Sequence, residues 1–300
     1  MKDMPRVAIV GYGNIGRYAL EALRLAPDME LAGVVRRCGS AEGIAELEGV
    51  KVVSDIRELG HVDVAILSTP SRKVEENALK YLGMGISTVD SFDIHSGIRD
   101  LRATLDPVAR RSGAVSIISA GWDPGSDSVV RALFEALAPQ GTSYTNFGPG
   151  RSMGHSVVAA SKPGVVRAVS ITVPEGKGLH SREVYVELEP GASLEEVSRA
   201  IKEDPYFVND PTTVKAVPDI SAIDSHMHGV NLVREGVSGL TEGQKLEFNM
   251  RINNPALTGQ MLVSACRAAS RQTPGCYTMI EIPPVDFLPG DRADIVGRLV

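Results

Sequence analysis

The sequence predicts an α/β protein: a doubly wound parallel sheet followed by a second domain of α+β character. Three observations carry this. Apolar β-branched runs alternate with helical patterns through the first 120 residues, a glycine-punctuated turn joins the first such run to the first helix, and from Ser143 longer strands with period-2 alternation take over.

In order, Val7 to Val10 reads as a buried strand and Asn14 to Leu25 as a helix rich in Ala and Leu. Strand Leu31 to Val35, a helix-like stretch Ala41 to Leu47 and a short strand Val50 to Val53 follow. Strand Val62 to Leu67 ends in Ser68-Thr69-Pro70-Ser71, a polar turn on the side where open α/β sheets bind ligands. Helix Val74 to Leu82, strand Ile86 to Val89, helix Gly97 to Arg111 and strand Ala114 to Ser119 continue the alternation. Gly121-Trp122-Asp123-Pro124-Gly125 breaks it, and Ser126 to Leu137 reads as a helix capped by Ser126 or Asp127. Beyond Ser143, Val165 to Val173, Glu183 to Leu188 and Gln244 to Ile252 read as strands, and Ser193 to Ile201 as a helix. Asn254-Pro255 opens a long small-residue helix through Ala269. The expected division is 1–120 for the first domain, with 255–300 crossing back to support it, and 121–254 for the second.

The turn Gly11-Tyr12-Gly13-Asn14-Ile15-Gly16 fits G-x-G-x-x-G, with a strand before it and a helix after it. Gly11 allows the tight bend, Gly13 lets a pyrophosphate approach bare backbone, and Gly16 lets helix and strand pack closely. This is a Rossmann-type dinucleotide site, with the Ser68-Thr69-Pro70-Ser71 turn beside it. An NAD-selective site places an acid about 20 residues beyond the motif. Here that position holds Arg36, then Arg37, with no acid before Glu42. Two guanidiniums suit a 2′-phosphate, so NADP is the expected cofactor. The alternative is a solvated basic pair at a strand end.

With 43% hydrophobic and 23% charged residues, the chain has the composition of a soluble globular protein. Its net charge of −6 gives no global attraction to nucleic acid or anionic lipid. No apolar run reaches the length of a membrane span, and Met1 to Pro5 leads into a strand without a signal-peptide core, so a cytoplasmic protein is expected. Cys38, Cys266 and Cys276 form no metal or disulfide pattern and read as inert thiols.

Four polar clusters compete for the chemistry. Asp90-Ser91-Phe92-Asp93 follows a strand end, where its carboxylates could hold an ammonium group or accept a proton; Asp93 could instead cap a helix. Trp122 reads as a pocket wall with Asp123 beside it, or as a cover for the hinge. The segment from Asn146 through Phe147, Met153 and Gly154 to His155 could present N–H groups to a carboxylate, with His155 as a proton shuttle or as a surface residue of a turn. Thr172, Arg182, His226, His228 and Asn254 supply what carboxylate binding requires. His226-x-His228 could also be a metal pair, but no nearby Cys or acidic cluster completes a shell.

The glycine turn, Thr88-Val89-Asp90, Gly121-Trp122-Asp123-Pro124-Gly125 and Phe147-Gly148-Pro149-Gly150-x-Ser152-x-Gly154-His155-Ser156 together resemble the meso-diaminopimelate D-dehydrogenases. The chain looks like a shorter variant, lacking residues that longer members carry after about Val173. The resemblance implies NADP-dependent, reversible oxidative deamination of the D-centre of meso-2,6-diaminopimelate to L-2-amino-6-oxopimelate, with release of ammonia. It implies Asp90, Trp122, Asp123, Phe147, Met153 and Gly154 around the substrate, Thr172, Arg182, His228 and Asn254 at its distal end, and a homodimer with a substrate and dimerisation domain. Asp90, Asp123 and His155 are the catalytic candidates. The rivals are another two-domain NADP oxidoreductase of amino-acid metabolism and a non-catalytic NADPH-sensing module. An aspartate-semialdehyde dehydrogenase needs a mid-chain Cys that this chain lacks.

Overall fold

A computed structural model describes residues 4–223 and 228–300, the side chain of Met153 excepted. His226 therefore lies outside the described residues. The chain divides into two compact units, Met1–Val130 with Pro255–Val300 and Arg131–Asn254.

The first unit opens with β1 (Arg6–Val10), α1 (Asn14–Arg24), β2 (Glu30–Val35), β3 (Val52–Val53), β4 (Val64–Leu67), α2 (Val74–Leu82), β5 (Ser87–Asp90), α3 (Ile98–Ser112) and β6 (Val115–Ile117). The chain then enters α4 (Ser126–Leu137), within which the division falls. Asp127 is thus inside the first turn of α4 rather than before it.

In the second unit come β7 (Gln140–Phe147), β8 (Gly150–Ser152), α5 (Met153–Ala160), β9 (Val165–Gly176), β10 (Leu179–Leu188), α6 (Leu194–Lys202), β11 (Thr212–Ala216), β12 (His228–Ser238) and β13 (Thr241–Ile252). The chain returns through α7 (Asn254–Ala269), β14 (Gly275–Tyr277) and α8 (Arg292–Leu299).

The first unit is built on a seven-stranded sheet ordered β14-β6-β5-β4-β1-β2-β3, each pairing parallel. Successive residues of its central strand serve opposite layers. Val7 and Ile9 join one apolar cluster, with Leu20, Ile66, Leu262 and Cys266. Ala8 and Val10 join the other, with Leu67, Tyr81 and Leu105. Both faces are covered, so these strands are continuously apolar. The strand order reverses between β1 and β4, which opens a crevice at their C-terminal ends.

The returning α7 contributes Leu262, Val263, Ala265 and Cys266 to the first cluster. It crosses α1 at Gly259, where a Cβ would stand 2.7 Å from the Ala19 nitrogen. Strand β14 then completes the sheet edge beside β6.

The second unit holds a four-stranded sheet ordered β11-β10-β9-β8 and a three-stranded antiparallel sheet ordered β13-β12-β7. Its own core gathers Val184 and Val186 of β10, Val197 and Ile201 of α6, and Phe207. Strands β7, β8, β11 and β12 are absent from the sequence expectation, and the expected helix Ala41 to Leu47 is only a single 3-10 turn, Ala45–Leu47. Gly39 and Gly43, both at positive φ, interrupt the backbone just before that turn.

Candidate active site

The β1–α1 turn forms the floor of a cavity of about 910 Å³. Gly11 has φ +90°, and a Cβ there would meet the Ser68 carbonyl oxygen at 2.6 Å. A Cβ on Gly16 would stand 2.7 Å from the Gly11 carbonyl oxygen. Gly13, by contrast, faces open space, and as the N-cap of α1 it leaves the first N–H groups without a side-chain acceptor. Such an end attracts phosphate.

Gly11, Tyr12, Gly13, Arg36, Arg37, Ser68, Thr69 and Pro70 line the cavity. Asn14, exposed, and Ile15, partly buried against the core, begin α1 just beyond its lining. The Ser68 hydroxyl braces the turn by donating to the Val10 and Gly11 carbonyls at 3.1 and 2.9 Å. Ser71 lies outside the lining and donates to the Asp93 carboxylate at 2.6 Å. Arg36 donates to the Ser40 carbonyl at 2.5 Å, which fixes its direction, and Arg37 is exposed. The bare helix end, the open space at Gly13 and two guanidiniums in one cavity fit NADP.

Sequence reasoning missed Lys73, Asn77 and Lys80, which also line the cavity. Their spacing along α2 puts them on one helical face, a signal that periodicity could have found.

At the C-terminal ends of β5 and β6, Asp90 is fully buried. Its Oδ1 accepts the backbone N–H groups of Phe92 and Ser119 at 2.9 and 3.0 Å, tying the two strand ends together. Among the described residues Oδ2 has no partner. Burial outweighs the two hydrogen bonds and pushes the carboxyl up to about 6. Asp93, in contrast, is exposed.

The Trp122 loop closes on itself through a bridge between Gly121 and Gly125. A Cβ on Gly125, at φ +146°, would lie 2.1 Å from the Gly121 carbonyl oxygen, so only glycine fits. Trp122 is 6% exposed, and Asp123 beside it is half-buried.

In the second unit, Gly150, Thr172, Arg182 and Thr212 stand in one cross-strand row. Arg182 is 8% exposed. Its guanidinium donates to Thr172 Oγ1 at 2.5 Å, to Asp210 Oδ2 at 2.7 Å and to His180 Nε2 at 2.9 Å. Sequence reasoning missed His180 and Asp210.

Close backbone approaches bring the ends of three strands to this row. Gly148 N–H donates to the Gly229 carbonyl at 2.7 Å, and a Cβ on Gly148 would meet the Thr172 carbonyl oxygen at 2.3 Å. Half-buried Phe147 stacks edge-on with His228 at 6.5 Å. Burial, with a smaller push from the Arg182 charge, lowers the basicity of His228, so it is a neutral imidazole at neutral pH. Its Nδ1 donates to the Gly229 carbonyl at 3.0 Å, which makes Nε2 the acceptor nitrogen.

His155 differs from the expected shuttle. Its Nε2 donates to the Tyr206 carbonyl and its Nδ1 accepts from Ser152 Oγ, both at 2.8 Å, so both ring nitrogens are engaged. Burial lowers its basicity too. The ring is a strut between α5 and the Tyr206-Phe207 turn. Gly154 beside it is exposed, and so is Asn254 at the start of α7.

A family model for the diaminopimelic acid dehydrogenase C-terminal domain matches residues 121–179, and one for NAD-binding Rossmann-fold oxidoreductases matches residues 5–89. A meso-diaminopimelate D-dehydrogenase of Bacteroides fragilis is 62% identical, over 98% of this chain and 99% of that one.

The chain belongs to the meso-diaminopimelate D-dehydrogenase family.

As a member of that family it is an NADP-dependent amino-acid dehydrogenase. The Corynebacterium glutamicum meso-diaminopimelate D-dehydrogenase is 30% identical over 98% of each chain. A structure of the C. glutamicum enzyme in complex with DAP superposes over the full length of both chains with a TM-score of 0.81. An engineered D-amino acid dehydrogenase bound to NADP+ is 28% identical, with a TM-score of 0.76 over 99% of this chain and 100% of that one. The dehydrogenase family thus joins a Rossmann sheet to a second unit with antiparallel sheets, as found here. Among the described residues no cluster could hold a metal ion, and no helix is long and apolar enough to cross a membrane. Cys266 and Cys276 are buried, and burial pushes both thiols up, Cys276 to about 12, away from nucleophilic use.

Proposed function

We propose that this dehydrogenase oxidises meso-2,6-diaminopimelate at its D-configured α-carbon with NADP+, the resulting imine being hydrolysed by water to give L-2-amino-6-oxopimelate, ammonium, NADPH and a proton, and that it runs the reductive amination in reverse. The observation that carries the reading is the Thr172–Arg182 row. It presents a nearly buried guanidinium, held at 2.5 Å by a hydroxyl, in a chain that also has a phosphate-binding helix end and an arginine pair. An arginine so fixed recognises a carboxylate by direction as well as charge.

Bound NADP supplies the hydride acceptor at its nicotinamide ring. Gly11 and Gly13 with the start of α1 hold the pyrophosphate, and Arg36 and Arg37 hold the 2′-phosphate. Thr172, Arg182, His228 and Asn254 bind the distal L-amino-acid end, Arg182 taking the carboxylate and His228 Nε2 accepting from the ammonium. The family resemblance also assigns Trp122, Phe147, Met153 and Gly154 to substrate binding.

Before hydride leaves, the reacting amine must lose a proton, and a carboxylate within reach of solvent is needed to take it. Asp123 and the exposed Asp93 meet that need; Asp90, sealed and tied to two backbone N–H groups, supports the strand ends that carry them. With both nitrogens engaged, His155 holds its loop rather than moving a proton. The reading takes the protein as a cytoplasmic homodimer. Leu133 and Leu137, one turn apart on α4, are 57% and 51% exposed and support an apolar contact surface on the second unit.

The deciding experiment mixes purified protein with NADP and meso-diaminopimelate at alkaline pH and follows the NADPH absorbance. NAD, and the L,L isomer, are the controls. NADPH formed from the meso isomer alone is the expected result. Tight NADPH binding without turnover of the meso isomer would overturn the substrate assignment.

A further inference from the structure

The second unit contains an acid that the proposed reaction does not use directly. Asp210 lies in the chain between α6 and β11, far in sequence from the strand residues it meets. Its Oδ2 accepts the Arg182 Nε–H at 2.7 Å and lies 3.4 Å from His180 Nε2. Its own backbone is anchored on both sides: its N–H donates to the Phe207 carbonyl at 3.0 Å, and its carbonyl accepts the Thr212 hydroxyl at 2.9 Å. The Asp210 side chain is 19% exposed and that of Arg182 is 9% exposed.

A guanidinium carries five N–H groups. Here Asp210 takes the one on Nε, Thr172 takes one on Nη1 and His180 takes one on Nη2, which among the described residues leaves one on each terminal nitrogen. Because a guanidinium only donates, His180 Nε2 is the acceptor of that contact. Two remaining donors on adjacent nitrogens are what a carboxylate fork requires. Without its Nε tether the long Arg182 side chain would regain rotamers, and the two donors would lose their common direction.

We propose that Asp210 is the positioning residue of the carboxylate anchor: with His180 and Thr172 it holds the Arg182 guanidinium so that two N–H groups remain for the distal carboxylate of the substrate. This rests on the reading of Arg182 as that anchor. Two effects oppose each other when the acid is removed. The attraction of Arg182 for an anion rises, but its orientation is lost; the proposal is that orientation decides.

The test compares steady-state kinetics of Asp210→Ala, Asp210→Asn, Arg182→Met and the double variant Asp210→Ala/Arg182→Met, each checked by thermal unfolding. Asp210→Ala is expected to raise KM for meso-diaminopimelate about tenfold while changing kcat and the KM for NADP by less than about twofold. Asp210→Asn, which keeps an acceptor oxygen for Nε–H, should recover most of that loss. In the Arg182→Met background, removing Asp210 should add nothing.

A KM that falls in Asp210→Ala, or an Asn variant no better than Ala, would mean that Asp210 acts through charge, and overturns the proposal. So does an effect of equal size with and without Arg182, which marks a general folding role. If Asp210→Ala does not fold, the Asn variant with and without Arg182 carries the same comparison, since an amide still weakens the tether. Should Arg182→Met leave KM unchanged, it is the anchor reading that fails, whatever Asp210 does.

Discussion

Asp90 sits where a carboxylate is costly. It is fully buried, two backbone N–H groups reach one of its oxygens, and its other oxygen has no partner among the described residues. Its pKa is raised from 3.8 to about 6, so the folded state holds the proton more tightly than the unfolded chain does. Stability is therefore full below the unfolded value and falls as pH rises through the folded one. Asp90→Asn keeps an acceptor for both N–H groups and carries no charge. Between about pH 4 and about pH 7, the variant should gain about 2 kcal/mol of unfolding free energy relative to the wild type. Urea unfolding of both proteins at the two pH values measures this, and an unchanged gap would show that Asp90 is ionised without penalty. The same residue shows what a strand-end position leaves out: it points to the ligand side, but only the structure shows two backbone N–H groups converging on the carboxylate.

The elements that were legible in the sequence are those whose partners lie close by. In the β1–α1 turn the bend at Gly11 and its close approach to Gly16 are local in sequence, so three glycines announce it even though Ser68, which braces it, comes from the end of β4. They also separate into two kinds. Gly13→Ala meets no atom within 4 Å, so it should melt with the wild type yet bind NADPH at least about tenfold more weakly. Gly16→Ala forces a Cβ to 2.7 Å from the Gly11 carbonyl oxygen and should lose about 1–3 kcal/mol of stability as well. Thermal unfolding with NADPH fluorescence titration distinguishes them, and equal melting losses would refute the division.

Strands β7 and β12 were hidden for physical reasons. The first half of β7 is exposed and built from Gln, Gly, Thr and Ser, with no apolar face to alternate. In β12 a buried Arg234 interrupts the pattern, because its charge is satisfied by the carbonyls of Ala138 and Pro139 and by Ser143 Oγ. The Arg182–Asp210 pair is invisible for a related cause, since it depends on register between β10 and β11 and not on spacing.

At the scale of the molecule, the first unit is assembled from two separate stretches of chain. Arg267 of α7 is the clasp between them: its Nε and Nη2 donate to the Asp28 carboxylate at 2.6 and 2.7 Å, and its Nη1 to the Phe287 carbonyl at 2.9 Å. The hydrogen bonds from Arg267 hold Asp28 below its ordinary value of 3.8, so this pair contributes fully above that pH and is lost as pH falls through the lowered one. Arg267→Ala should lower unfolding free energy at neutral pH by about 2–4 kcal/mol, since it strips a mostly buried pair and leaves a carbonyl without its donor. Calorimetry measures the loss, and a change under about 0.5 kcal/mol would show that the core alone closes the unit. The split first unit also has a consequence for the order of synthesis. All of residues 131–254 leave the ribosome before α7 and β14 exist. Until Gly275–Tyr277 emerges, β6 is an open edge with unpaired backbone groups, and the apolar layer already packed by Leu20 of α1 lacks the share of its cover that Leu262 and Cys266 supply. The nascent chain therefore passes through a stage in which its cofactor domain is begun but unfinished, and that stage is when the protein most needs shelter from its neighbours.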